Sequence, residues 1–326
     1  MIKLLFLTDT HIRANSPASR LDDFPKTILK KLEWVGKKAN ELEVDAIIHG
    51  GDWLDRPDAV YSILNDFVKT IVDWGKPIYT VAGNHDIYGL NPETFNRTAL
   101  GLLVNAKIIT RLSSEPIVLK DTVSLTGVDS HYNLDKDDRV DDYVDVKGND
   151  NHTKIHVVHG FLAKAKWDMV PSTAIKDILD TKADIVLTGH EHTGYGVVKK
   201  GLKTFCNPGA LARVTAGVGD VNQEVKVALI TIGKEGKLIE LIKLPEDIAK
   251  PSGEVLNRDK LLEEKEHKIR LETFTSNLNN FNLSESLSIY TVLDEIAKEE
   301  KVDEKVIKLV RERLEKAQEE MKKGEM

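Results

Sequence analysis

A single cysteine, Cys206, stands in the 326 residues, so the chain has no internal disulfide and no structural zinc site built on thiolates. A reducing compartment, the cytoplasm, is the expected setting. Long apolar runs are missing too. None approaches the roughly 20 residues of a membrane-spanning helix, and the apolar start at residues 1–7 is too short for a signal-peptide core with its cleavage site. An excess of positive charge is the third absence. Lys and Arg number 46 against 53 Asp and Glu, a net charge of −7, without the basic footprint usual in nucleic-acid binders. Local groups such as Lys164/Lys166 and Lys199/Lys200/Lys203 are the cationic patches available to face a phosphate backbone. With 41% hydrophobic and 30% charged residues, the chain has an ordinary globular composition, long enough for one large domain and a smaller one.

What is present is concentrated in five polar islands along the first 192 residues. They are Asp9-Thr10-His11, Gly51-Asp52 followed by Asp55-Arg56, Gly83-Asn84-His85-Asp86, His159-Gly160 and Gly189-His190-Glu191-His192. Each lies just beyond an apolar run that reads as a strand. Any one of them has a bland explanation: a lone histidine is more often packed or solvated than a ligand, and Gly-Asn is a turn former. Five in order, each at a strand end, call for a chemical reason. Asp9, His11, Asp52, Asn84, His159, His190 and His192 offer the mixed oxygen and imidazole donors of a two-ion site for phosphate ester hydrolysis, in which one carboxylate bridges ions roughly 3.5–4 Å apart. Such a donor set suits manganese, iron or zinc better than magnesium or calcium, and manganese is the expected ion. Of the other histidines, His49, His152, His156 and His267 read as core or surface residues. His131, after Val128-Asp129-Ser130, is a candidate for the cleft wall.

Strand and helix alternate over the first three-quarters. Strands are expected at 2–8, 46–49, 77–82, 154–158 and 184–187. Helices are expected at 25–42, with Ile28, Leu32, Val35 and Ala39 on one face, and at 58–74, with Ile63, Phe67 and Ile71 at successive turns. Lys120-Asp121-Thr122 and Gly233-Lys234-Glu235-Gly236 each lie between apolar segments and read as hairpins. Asn207-Pro208-Gly209 reads as a turn walling the cleft. Ligands at the carboxyl ends of adjacent strands would be converged by a rigid sheet, as in open α/β folds.

These islands, D-x-H, G-D-x-x-D, G-N-H-D, H and G-H-x-H, resemble the pattern of the calcineurin-like metallophosphoesterases over roughly residues 1–245. The resemblance implies a four-layer α-β-β-α sandwich of the α/β class, with a C-terminal helical tail in this chain. It also implies roles. Asp9, His11 and His192 would hold one divalent ion, Asn84, His159 and His190 the other, and Asp52 would bridge them. His85 would stabilise or protonate the leaving oxygen, and Asp55 occupies the place of a carboxylate that orients that histidine.

Pro245, Pro251 and Gly253 punctuate a polar stretch. The expected division is therefore a catalytic domain at 1–246, a linker at 247–258 and a helical partner-docking domain at 259–326. Helices are expected there at 259–281, 284–300 and 303–323, the last with Val306, Val310, Leu314, Ala317 and Met321 in a stripe. From Lys260 onward 13 basic residues face 16 acidic ones, so the tail is no basic arm. It packs on the catalytic domain or docks a partner.

The superfamily serves many phosphoesters, so fold alone leaves the substrate open. Gly50-Gly51-Asp52-Trp53-Leu54-Asp55-Arg56-Pro57 and the closing Asp86 of Gly83-Asn84-His85-Asp86 resemble SbcD-type nuclease subunits of double-strand-break processing complexes. That resemblance implies a DNA nuclease acting in recombination or repair, a coiled-coil SbcC-like ATPase gripped by the C-terminal helices, and a possible homodimer. The alternatives are a phosphodiesterase for cyclic nucleotides or other small diesters, and a non-catalytic scaffold for an ATPase.

Overall fold

The computed structural model describes residues 1–136, 139–167, 170–215, 218–257, 297, 303 and 305–313. The chain divides into two compact units, Met1–Leu261 and Leu262–Met326. Among the described residues of the first unit the strands are β1 (Ile2–Leu7), β2 (Ala46–His49), β3 (Ile78–Thr80), β4 (Thr110–Arg111), β5 (Ile117–Leu119), β6 (Val123–Val128), β7 (Thr153–Val158), β8 (Leu162–Ala163), β9 (Thr173–Ala174), β10 (Ile185–Thr188), β11 (Gly196–Lys200), β12 (Lys203–Asn207), β13 (Lys226–Gly233) and β14 (Gly236–Lys243). They form two six-stranded mixed sheets, ordered β14-β13-β1-β2-β3-β4 and β11-β12-β10-β7-β6-β5, and a small β8-β9 ladder. Both expected hairpins are there, β5 with β6 and β13 with β14.

The sheets pack face to face because their strands alternate. In β1, Leu4 and Phe6 point inward to meet Leu125, Val157 and Leu187 of the second sheet, while Leu5 and Leu7 point outward under the helices. The outward face of the first sheet is covered by α1 (Phe24–Glu41), α2 (Tyr61–Val72) and α3 (Ala99–Asn105). Asp23 caps α1 by accepting from Lys26 N, Pro25 sits in its first turn, and Phe24, Ile28, Leu32, Val35 and Ala39 are buried along one side. Burying a side chain such as Ile28 or Leu32 stabilises the fold by roughly 1.5–3 kcal/mol. Lys31 breaks that apolar stripe. Its Nζ donates to Leu211 O at 2.7 Å, and burial pulls its pKa well down.

α2 begins three residues later than the expected 58. Pro57 O accepts from Ala99 N, so the segment before Tyr61 is tied to the start of α3, and Val60 offers no side-chain cap. The fourth layer is thin: α4 (Asp141–Val144) and a 3-10 turn at Ile175–Ile178 cover the second sheet through Tyr143, Ile175 and Ile178.

Within the stretch expected to link the two parts, Ser252–Val255 is a short helix, Leu21 N donates to Val255 O and Asn257 N to Ser19 O, and Val255 and Leu256 are buried. Of the three helices expected in the tail, residues 305–313 are helical; the rest of that expectation lies outside the described residues. Among the described residues no helix is long and apolar enough to cross a membrane.

Candidate metal centre

The parallel register explains why the islands meet. β1, β2 and β3 run parallel in one sheet, and β6, β7, β10 and β12 in the other. Their carboxyl ends open at one end of the sandwich. Asp9 and His11 follow β1, Asp52 follows β2, Asn84 and His85 follow β3, His159 follows β7, and His190 and His192 follow β10. Four of these residues leave their strands in the left-handed region: Asp9 at φ 54°, His11 at 43°, Asp52 at 55° and His190 at 69°. Non-glycine residues rarely adopt it, and such backbone strain clusters at functional sites. Two glycines make room for the side chains. A Cβ on Gly83 would run into the Asp52 carboxylate, and Gly51, at φ 95°, lies against the His159 ring.

The donor atoms converge. Asp9, His11 and His192 each offer a ligand atom within 4.8 Å of the others, as do Asp52, His159 and His190, and a third group joins His11 and Asp52 to His85. His11 Nε2 lies 3.0 Å from His192 Nε2 and 3.8 Å from Asp52 Oδ2. His159 Nε2 lies 3.3 Å from Asp52 Oδ2 and 3.2 Å from Asn84 Oδ1. Asp52 therefore sits between the two groups. Two main-chain donors and one hydroxyl orient the carboxylates: His85 N donates to Asp52 Oδ1 at 2.8 Å, His190 N to Asp9, and the Thr8 hydroxyl to Asp9 Oδ2 at 2.6 Å. His159 Nδ1 is held by Gly50 O at 2.7 Å, so Nε2 is the nitrogen it turns to the site.

Charge couples the carboxylates of the centre to its imidazoles. Burial resists ionisation of Asp9 and Asp52, but bonds and charges from His192 and His159 outweigh it and keep both carboxyls well below the ordinary range. In return, against its burial, the Asp52 carboxylate pushes His159 up to about 10, and that of Asp9 pushes His192 up to about 9. Burial moves His11 and His190 the other way, to about 3 and about 4, so those two present bare lone pairs. Two carboxylates and several imidazole nitrogens this close are consistent with a dimetal site.

All seven expected ligands come together, with His85 beside them. Asp55 is there by a different atom from the one the resemblance implies. Its main-chain oxygen, not its carboxylate, meets His85 Nδ1 at 2.8 Å; the carboxylate pairs with Arg13 at 3.1 Å. The turn after β2 points its carbonyl inward while the side chain faces a cleft of about 240 Å³ shared with Arg13, Asn15 and Arg56. His131 pairs with Asp142 at 3.1 Å. His49 and His156 are buried, His49 stacked on Trp53 at 3.6 Å. Asn207 holds the loop rather than merely walling it, donating to Glu191 O while accepting from Gly209 N.

Three supporting residues carry no sequence signal of that role. Asp86, fully buried, accepts from Trp53 N, Leu54 N and Gly83 N, joining the Asp52 loop to the Asn84 turn. Burial, helped by the Asp52 charge, pushes its pKa up to about 7. Gln223 donates to His192 O and Ala210 O. Asp129 accepts from Ala82 N and pairs with Arg111. Each acts on a backbone group distant in sequence, which local patterns do not display.

A sequence profile described as calcineurin-like phosphoesterase matches residues 2–194. The chain is 25% identical over 255 residues to the DNA double-strand break repair protein Mre11 of Methanosarcina mazei, a match covering 75% of this chain and 38% of that protein. The chain thus spans well under half the length of that relative. Among solved structures it is similar to TT1561 of Thermus thermophilus, at 13% identity and a TM-score of 0.46, covering 74% of this chain and 98% of that one. It is also similar to a dimetal phosphatase from Danio rerio, at 9% identity and a TM-score of 0.45, covering 75% and 99%.

Proposed function

The chain belongs to the calcineurin-like phosphoesterase family, and on that premise we propose that it is a metal-dependent phosphodiesterase acting on DNA, a nuclease subunit of the SbcD type. The observation that carries the DNA reading is the likeness to Mre11. The Gly50–Pro57 segment and the closing Asp86 of the third island support it.

Asp9, His11 and His192 would hold one divalent ion, Asn84, His159 and His190 the other, with Asp52 shared between them; manganese is the expected ion, with iron or zinc as alternatives. When bound, such a pair lowers the pKa of water and neutralises the non-bridging oxygens of a phosphodiester. The chain's own residues supply the rest. Asp52 and Asp9, fixed by main-chain donors, set where cationic charge accumulates. His85 is placed beside Asp52 and His11. With Nδ1 donating to Asp55 O, Nε2 is the atom free to exchange a proton, and the imidazolium form would deliver it to the departing sugar oxygen. Arg13, paired with the Asp55 carboxylate, positions that loop. Residues 259–326 would dock a coiled-coil ATPase, and two copies of the chain would pair.

The test is manganese-dependent cleavage of linear duplex and single-stranded DNA, beside a bis-aryl phosphodiester, by the wild type and His85→Ala. The variant should bind metal as the wild type does and lose DNA turnover by more than roughly tenfold. Intact activity would remove His85 from the mechanism. Turnover of the small diester with no DNA cleavage would favour a small-molecule phosphodiesterase.

A further inference from the structure

Two ring contacts lead outward from the metal centre. Phe161, two residues past His159, meets the His190 ring edge-on with centroids 5.6 Å apart. Trp167 meets Phe161 in turn, at 5.2 Å and 65°. Trp167 is 52% exposed, whereas Trp53 and Trp74 are buried in the core.

The peptide carrying this indole is pinned. The β8-β9 ladder closes the base of its loop, Leu162 opposite Thr173 and Ala163 opposite Ala174. Phe161 N donates to Asp135 Oδ2 at 2.6 Å. Buried Ser172 closes the loop higher up: its Oγ accepts from Trp167 N at 2.8 Å and donates to Trp167 O. An exposed indole fixed by its own backbone loses little entropy when a ring stacks on it. Lys164, three residues before it, is exposed, and single-stranded nucleic acid is held by such charge on its backbone and by a π-face for its bases.

We propose that Trp167 is a substrate-binding residue that stacks an unpaired nucleobase next to the scissile phosphate, so that the strand cut by this site is single-stranded at that position. The inference rests on the DNA reading given above. A paired base inside a duplex has both faces covered by its neighbours and cannot use this platform. The site therefore favours free strands, frayed ends and gaps over intact duplex. Because the indole reaches the metal centre through Phe161 and His190, the stacked base also sets which phosphate arrives there.

The test uses the full chain with manganese and two oligonucleotides of equal length and charge, one of thymidines and one with an abasic residue next to the cleaved bond. Three variants are compared with the wild type. W167F keeps a π-face, W167L keeps apolar bulk against Phe161 without one, and W167A keeps neither. The wild type should show a KM lower by roughly tenfold or more on the base-bearing strand. W167F should keep most of that preference; W167L and W167A should lose it, chiefly in KM rather than kcat. A wild type that does not distinguish the strands, or a W167L that discriminates as well as the wild type, overturns the assignment while DNA cleavage itself persists. Failure to cut any DNA strand, with turnover of a bis-aryl diester intact, overturns the DNA reading and this assignment with it.

Discussion

Replacing Asp86 should unfasten the joint between the two loops that carry Asp52 and Asn84. Its Oδ1 accepts from Leu54 N at 3.0 Å, and its Oδ2 from Gly83 N at 2.9 Å and Trp53 N at 3.3 Å, all in the interior. Asp86→Ala leaves three buried N–H groups without an acceptor. Each orphaned donor costs about 1–3 kcal/mol, so the loss should reach at least about 3 kcal/mol, a large part of the roughly 5–15 kcal/mol by which folded proteins exceed their unfolded state. Asp86→Asn differs instructively. Its amide oxygen can serve two of the donors, but the NH2 group must then face the third. It should lose about 1–3 kcal/mol, with some relief because a buried charge is gone. At roughly 2–4 °C per kcal/mol for a unit of this size, the alanine variant should melt at least about 6 °C below the wild type, and the asparagine variant in between. Thermal unfolding followed by circular dichroism in excess chelator isolates this effect from metal loss. Metal titration of the surviving variants should then show weaker binding, since Asp52 and Asn84 no longer share one clamp. An alanine variant melting within about 2 °C of the wild type, or an asparagine variant worse than alanine, would refute the reasoning.

Other expectations follow from the same geometry. Asp52→Asn should weaken both ions together, because Asp52 lies between the two groups; a variant retaining two tightly bound ions by elemental analysis would contradict the shared role. Saturating manganese at a hundred times its dissociation constant should stabilise the chain by about 2.7 kcal/mol, raising Tm by roughly 5–10 °C, and chelation should reverse it; an unchanged Tm would argue against a folded-state site. His156, which burial holds down to about 4 against 6.5 in the unfolded chain, contributes stability that is fully present above pH 6.5. That stability is lost as pH falls from 6.5 through 4, in all by about 3 kcal/mol. Denaturant unfolding of the wild type and His156→Gln across this range should show a slope shallower by about one proton in the variant, and parallel curves would sink the assignment.

The candidate site was legible because its residues are local signals at regular places. A short apolar run followed at once by Asp, His or Asn marks a strand that ends in a polar island, and the parallel strands β1, β2 and β3 of one sheet and β7 and β10 of the other bring those ends together. The spacing of Ile28, Leu32 and Val35 likewise announced α1. What the sequence did not announce are bonds between distant backbone and side-chain groups. Asp86 looks like the last letter of a turn, Gln223 like a loop residue, and Asp129 like a neighbour of His131; each works on a main-chain group that only the packed sheets bring near. The start of α2 was misplaced for the same reason, since Ala99, far along the chain, claims the Pro57 carbonyl. At Asp55 the carbonyl rather than the carboxylate meets His85, and residue type says nothing of which way a peptide plane is turned.

The left-handed backbone at Asp9, His11, Asp52 and His190 also bears on how such a site can drift over generations. Asp, Asn and His are the non-glycine residues that tolerate this conformation best, and Asp and His are also what a divalent ion wants. Stereochemistry and coordination thus select the same side chains independently. A replacement by valine, isoleucine or threonine fails twice, losing the ligand and straining the chain, whereas asparagine or glycine fails once. Descendants released from catalysis should therefore pass through asparagine and glycine at these positions long before reaching branched residues. In a diverged relative, asparagine at the place of Asp9 or Asp52 would mark a chain that has kept the loop and given up the carboxylate charge.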